Sequence, residues 1–272
     1  MVNDIKVTVL HCGNVDTDSS TLFYEEDTNY PECMYYTARP KEYHITPPVY
    51  AFLIEHPKGK ILYDTSWGKE VRENPEKEIG TAYLVDRPIL LEGQSVDEQL
   101  KMMGIKAEEL DYVVLGHMHV DHAGGLRHVS EAKHILVSKE ELQAAKEGDG
   151  YCSHMWQEEQ LELIPFEPDN TTPWNKSYDI FGDGTVKLVF LPGHTPGMTA
   201  ILIQNHGKSL LLTGDCGYAR KSWEQMILPG LIHDKETMVK SLSWIKQLSE
   251  EEDCIDCIAA HESDLNQKVF NL

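Results

Sequence analysis

The segment Leu115-Gly116-His117-Met118-His119-Val120-Asp121-His122 places four candidate metal ligands within six residues, directly after an apolar run. Three imidazoles and a carboxylate are costly to crowd together without a cation, and this donor set suits zinc or a similar first-row metal. A site built without thiolates can stay open for catalysis. Three further candidates follow apolar runs in the same way. His194 comes after 186–191 through Pro192-Gly193, Asp215 after 210–212 through Thr213-Gly214, and His261 after 258–260. Ligands at the ends of several buried strands can converge at one sheet edge, where rigid backbone holds them and loops admit substrate.

The elements that must position these residues are legible as apolar periodicity. Strands are predicted at 5–10, 49–54, 61–63, 112–115, 134–137, 186–191, 199–203, 210–213 and 257–260. Ser95 with Glu98, and Ser138 with Glu141, read as capping boxes that open helices, with Gly104 and Gly148 as terminators. Asp234 caps a helix whose buried face is Met238, Leu242, Ile245 and Leu248. Strands dominate early and mix with helices later, which predicts a layered α/β fold with mixed sheets in one domain over 1–272. Within the metal motif, extended backbone would put His117, His119 and Asp121 on one side, with Met118 and Val120 facing the core. His122 would join them through a turn for which Ala123-Gly124-Gly125 supplies the backbone freedom. Residues 23–48, rich in tyrosine, proline and charge, lack a period and read as a lid or an extended arm.

A formal net charge of -21 opposes nucleic acid, anionic membrane and highly phosphorylated substrates. A neutral small-molecule substrate fits better. The beginning of the chain lacks the pattern of a secretory signal, and no apolar run reaches the ~18 residues of a membrane helix. A soluble, cytoplasmic protein is the expectation, with a homodimer left open. Cys12, Cys33, Cys152, Cys216, Cys254 and Cys257 form no dense framework and read as reduced thiols. Cys254-x-x-Cys257 reads as packing rather than half a zinc site or a redox pair, and Cys216 should point away from Asp215.

Read as a set, His117-x-His119-x-Asp121-His122, His194 within Gly193-His194-Thr195-Pro196-Gly197, Asp215 and His261 resemble the ordered ligand motifs of the metallo-β-lactamase superfamily. The resemblance spans roughly residues 49–261. It implies an α/β (α+β) fold, a four-layer αβ/βα sandwich with two mixed β-sheets, and two divalent metal ions, usually Zn(2+), at one edge. His117, His119 and His194 would hold the first ion and Asp121, His122 and His261 the second, with Asp215 and a hydroxide bridging both. Asp64, closing the run 60–64, matches an aspartate that supports the ligands from behind. Ser66 and Trp67 depart from the glycine common there in the family, which puts the form of that turn in doubt.

Tyr218, three residues after Asp215, together with the stretch 47–54, resembles more narrowly the quorum-quenching branch, the N-acyl homoserine lactone lactonases. That implies attack of hydroxide on the lactone carbonyl, Tyr218 stabilising the developing oxyanion, and Asp121 passing a proton to the leaving ring oxygen, with no organic cofactor. Parts of 23–50 and 223–231 are expected to line an acyl-chain groove. Rival enzymes that share the His-x-His-x-Asp-His motif are a glyoxalase II-like thioester hydrolase and a mononuclear iron sulfur dioxygenase, the latter needing no Tyr218. A nuclease conflicts with the acidic charge, and the antibiotic-degrading branch typically replaces a ligand of the His122 or Asp215 type. The non-enzyme alternative is a metal-stabilised binding protein, against which stands the retention of all seven ligands.

Overall fold

A strand covered on both faces needs a continuous apolar run rather than an alternating one, and runs of that kind build two mixed sheets. The computed structural model describes residues 4–26, 28–148 and 150–272. Residues 1–3 of the amino-terminal stretch, and residue 27 within the segment 23–48, lie outside the described residues. The larger sheet has nine strands. Its main path runs Val269–Asn271, Lys6–Asp18, Pro48–His56, Gly59–Tyr63, Tyr112–Val114, His134–Val137, Leu161–Leu163, parallel from Gly59–Tyr63 onward. The six-stranded sheet runs Cys254–Ala259, Lys208–Gly214, Thr199–Asn205, Val186–Phe190, Lys176–Asp179, Glu167–Pro168, with one parallel pair, Lys208–Gly214 with Cys254–Ala259.

Period-two alternation sorts each strand between two cores. Phe52, Ile54, Tyr63 and Val114 meet Leu188, Ile201, Leu212 and Ile258 between the sheets. On the outer face, Leu53, Leu62 and Val113 cluster with Leu100 and Leu142 of the helices Val96–Met102 and Lys139–Glu147. The other sheet turns Val189, Ala200 and Leu211 onto Met238, Leu242 and Ile245 of helix Lys235–Ser249. Helix, sheet, sheet and helix thus form the expected four layers.

The expected strands are all present. Lys6–Asp18 runs well past 5–10, because its polar second half pairs with the short strands His44–Ile45 and Arg87–Ile89 after a register shift between His11 and Asn14. Ser95 and Glu98 form the expected capping box, and Asp234 accepts the Thr237 amide at 2.7 Å. Half of the second box is missing. Ser138 accepts the Glu141 amide at 3.0 Å, but the Glu141 carboxylate is turned to other partners. Gly104 closes its helix in the left-handed region at φ 73°, whereas Gly148 ends the next helix in extended backbone.

Segment 23–48 carries the short helical turns Glu32–Met34 and Lys41–Tyr43 and the strand His44–Ile45. Arg39 pins it down. Its Nε donates to Asp18 Oδ2 at 2.8 Å and its Nη1 to Glu25 Oε2 at 2.6 Å. All six cysteines are free, Cys216 lies in the core beside Trp223 and Leu242, and the Cys254 and Cys257 sulfurs stand 3.8 Å apart. Among the described residues, no helix is long and apolar enough to cross a membrane.

Candidate metal centre

Each predicted ligand leaves its element at the same edge of the sandwich. The extended run ends at Val114, and Val120–Ala123 is a helical turn with His119 at its N-cap. Asp121 and His122 therefore reach the site from a helix, which corrects the extended reading of the motif. Met118 and Val120 are buried, as expected. The glycines after the turn serve a different need from the one expected. Gly124 and Gly125 have ordinary φ of -58° and -82°, but a Cβ on either would strike the backbone of 65–68. That loop is clamped to the motif, since the Thr65 amide and hydroxyl both donate to His122 O at 2.8 Å.

The turn at Ser66 and Trp67 is built without glycine. Asp64 and Ser66 take φ of 60° and 55°, a left-handed region that side chains other than glycine seldom enter. Buried contacts hold them there: Ser66 Oγ donates to Cys12 O at 3.1 Å, and the fully buried Trp67 donates through Nε1 to Asn14 O at 3.2 Å. Asp64 is then aimed at the site. Its Oδ1 accepts the Gly116 amide at 2.7 Å and its Oδ2 stands 2.8 Å from His122 Nδ1. At the other sheet, Ser241 Oγ donates to Pro192 O at 2.6 Å and the His233 amide donates to Gly193 O at 2.9 Å, so helix Lys235–Ser249 fixes the turn that presents His194.

The side chains form two sets joined by Asp215. Nε2 of His194 lies 3.2 Å from His117 Nε2 and 3.0 Å from His119 Nδ1. Asp121 Oδ2 lies 3.6 Å from His122 Nε2 and 3.4 Å from His261 Nε2. Asp215 Oδ1 is 3.3 Å from both His122 Nε2 and His261 Nε2, while its Oδ2 is 3.7 Å from His117 Nε2 and 3.5 Å from His194 Nε2. Nitrogens held ~2.0–2.1 Å from a tetrahedral zinc stand about 3.3 Å apart, so these spacings are those of ligand edges. Three of the far nitrogens are committed elsewhere: His194 Nδ1 to Leu231 O at 2.9 Å, His261 Nδ1 to Pro48 O at 2.8 Å, and His122 Nδ1 to Asp64, whereas His117 Nδ1 is buried without a partner among the described residues. Such bonds fix the tautomer that leaves Nε2 a lone pair.

The electrostatics ask for positive charge. Burial holds His117 and His119 well below the usual imidazole range, so they stand as neutral donors. Burial also opposes charge on His122 and His261, but the surrounding carboxylates, led by Asp215, outweigh it and raise both. His122 Nε2 and Asp215 Oδ1 are buried with no hydrogen-bond partner among the described residues. Cations between these groups would satisfy both the charge and the orphaned atoms, so the residues fit a metal centre.

Above the centre lies a cavity of about 340 Å³, with His119, Asp121, Asp215, Tyr218 and His261 in its lining. Tyr218 is 4% exposed, and its ring contacts His194 and His261 at centroid distances of 5.5 and 5.3 Å. The walls are largely apolar, with Val15, Leu22, Leu84 and Val85 joined by Pro31, Met34 and Tyr35 from the segment 23–48. From 223–231 only Leu231 joins them, because Trp223 is sunk in the core. A second cleft of about 770 Å³ adjoins His119 and His194 and is lined by Gln143, Tyr151, Pro196 and His233.

Two carboxylates escaped the sequence reading. Asp86 lines the cavity, where burial and then Asp121 push its carboxyl up to about 7. It follows the short turn Gly80–Leu84, in a stretch with no apolar period to flag it. Glu141 is fully buried, its carboxylate accepting the Met118 amide at 2.9 Å and the Thr195 hydroxyl at 2.6 Å. Its place three residues after Ser138 disguised it as a helix cap.

Comparison with known proteins agrees with the fold and the motif order. The family model of the metallo-beta-lactamase superfamily matches residues 45–251. The N-acyl homoserine lactonase AttM of Rhizobium radiobacter is 31% identical over 80% of this chain and 82% of its own length. That of Azorhizobium caulinodans is 33% identical over 75% and 78%. A solved N-acyl homoserine lactone hydrolase, with the product N-hexanoyl-L-homoserine bound at its catalytic metal center, shares the fold at a TM-score of 0.76 and 23% identity, covering 94% of this chain and 93% of that one. The dizinc quorum-quenching lactonase AidC shares it at a TM-score of 0.64 and 15% identity, covering 99% and 90%. By its motifs, its layers and these relatives, the chain belongs to the metallo-β-lactamase superfamily and, within it, to the N-acyl homoserine lactonase family.

Proposed function

We propose that this protein is a two-metal hydrolase that opens the ring of N-acyl homoserine lactones. The observation that carries the reading is the posture of Asp215, one carboxylate oxygen toward each histidine set, beneath a cavity whose lining includes Tyr218. In this reading residues 1–272 act as one metallo-β-lactamase-like domain in which 23–48 caps the lactone. His117, His119 and His194 would hold one ion and Asp121, His122 and His261 the other, with Asp215 placed to reach both sets and Asp64 orienting His122. The imidazole and carboxylate donors favour zinc. Bound there, two such ions lower the pKa of water and polarise a carbonyl.

The protein's own groups do the rest. Tyr218 donates its hydroxyl to the carbonyl oxygen as charge develops there, burial and then Asp215 keeping the phenol protonated. Asp121, its side chain 16% exposed toward the cavity, takes the proton from the attacking water and returns it to the ring oxygen as the ester bond breaks. The product is an acyl homoserine with a free carboxylate. The apolar walls bury the acyl chain and exclude bulk water. A cavity of about 340 Å³ lies at the small end of the ~300–1,000 Å³ range of ligand sites, which favours short acyl chains.

The test is hydrolysis of homoserine lactones of graded acyl length by wild type and Tyr218→Phe, with a thioester and a phosphodiester as controls. Ring opening of the lactones, falling roughly 10²-fold in kcat on loss of the Tyr218 hydroxyl, is expected. Turnover of the thioester alone would move the assignment to a thioester hydrolase.

A further inference from the structure

We propose that Glu141 is a positioning residue that clamps together the two loops carrying His117, His119 and His194, and so sets the affinity of that three-histidine site for its metal. One carboxylate oxygen accepts the amide of Met118, the residue between His117 and His119, at 2.9 Å. The other accepts the Thr195 hydroxyl, adjacent to His194, at 2.6 Å. The two loops come from different sheets, 117–119 following Tyr112–Val114 and 194–197 lying between Val186–Phe190 and Thr199–Asn205. Glu141 is therefore a bond across the sandwich, at the edge where the site lies.

Its own position is rigid. It sits in the first turn of helix Lys139–Glu147, where Ser138 Oγ accepts its amide at 3.0 Å and donates to Gly197 O at 2.7 Å. A Cβ at Gly197 would fall against the Glu141 backbone and Ser138 Oγ, so the 194–197 loop can lie this close only as glycine. Tyr151 packs at the same place, its ring 4.9 Å from that of His119. A buried carboxylate is expensive to keep without partners, and its two partners, Met118 and Thr195, each stand next to a candidate ligand in sequence. A cap alone needs none of this, since Ser138 already holds the helix start.

The inference rests on the assignment of His117, His119 and His194 as ligands and is independent of lactone being the substrate. Zinc is titrated into metal-stripped full-length protein against a chromophoric chelator, for wild type, Glu141→Ala, Glu141→Gln, Thr195→Val and, to mark the three-histidine step, His119→Ala. Glu141→Ala is expected to weaken that step on the order of 10–100-fold while leaving the other within about twofold, the range seen when supporting partners of a metal site are lost. Thr195→Val should weaken it several-fold, and Glu141→Gln, which keeps an acceptor for Met118, should restore most of it. Unchanged zinc affinity in Glu141→Ala, or equal weakening of both steps, overturns the clamp. If Glu141→Ala does not fold, Thr195→Val decides, and unchanged affinity there overturns it equally. Absence of zinc uptake by wild type removes the ligand assignment itself.

Discussion

At the scale of single residues, the site is a problem of aiming nitrogens. Seven candidate ligands could be named in advance, four because three imidazoles and an aspartate are costly to crowd into six positions and three because they follow apolar runs and fit the family resemblance, and the structure brings all seven to one edge. Their aim was not legible. Beyond Asp64, which the resemblance already placed behind the ligands, it depends on backbone partners distant in sequence, Leu231 O for His194 and Pro48 O for His261. Asp64 offers the cleanest test of that aiming. Asparagine tolerates the left-handed backbone that Asp64 adopts at φ 60°, so Asp64→Asn keeps the turn and removes the charge behind His122. The ion proposed to sit at Asp121, His122 and His261 should bind on the order of 10–100-fold more weakly, read by chelator competition. Equal affinity in the variant would remove Asp64 from the metal centre and leave it a turn residue.

At the scale of elements, strands were the readable part. Burial on both faces leaves runs such as 49–54 uniformly apolar, and every such run became a strand. The turn Val120–Ala123 was misread because its conformation is set by tertiary contact: Thr65, 57 positions away, holds His122 O with two hydrogen bonds. Local periodicity carries no trace of such a contact. The segment 23–48 could be read only as a lid or arm, because its apolar residues, such as Pro31 and Met34, follow no period and charge helps to hold it. Arg39 is the main tie, joining Glu25 to Asp18, which is fully buried and caps the turn Ser19–Leu22 beside the cavity. Burial pushes the Asp18 carboxyl up, but its hydrogen bonds to Arg39 and Ser20 outweigh that and hold it low. Arg39→Met would strand that carboxylate, at a cost of about 3 kcal/mol in unfolding free energy. KM for the lactone should rise several-fold as the wall carrying Pro31 and Met34 loosens. A variant with wild-type stability and KM would show that the segment is held by something other than Arg39.

At the scale of the whole molecule, a formal charge of -21 surrounds one edge that calls for cations. The stability of so acidic a chain should reflect which carboxylates keep partners. Hydrogen bonds from Arg72 hold Glu98 down to about 2, against ~4.3 in an unfolded chain. A carboxyl depressed by folding adds stability that is complete above the unfolded value and disappears as pH falls toward the folded one. Glu98→Gln should therefore be less stable than wild type near neutrality, by on the order of 1 kcal/mol for so accessible a pair, with the gap closing between about pH 4.3 and 2. Denaturation midpoints across that range check it, and a gap that persisted at pH 2 would contradict it. The central claim, a two-metal lactonase, is tested most directly by counting metal and following ring opening on one protein sample. Wild type is predicted to hold two divalent ions per chain and to open N-hexanoyl homoserine lactone, and Asp215→Asn to lose both an ion and the activity. One iron per chain with oxygen consumption, or two ions with no turnover of any lactone, would contradict it.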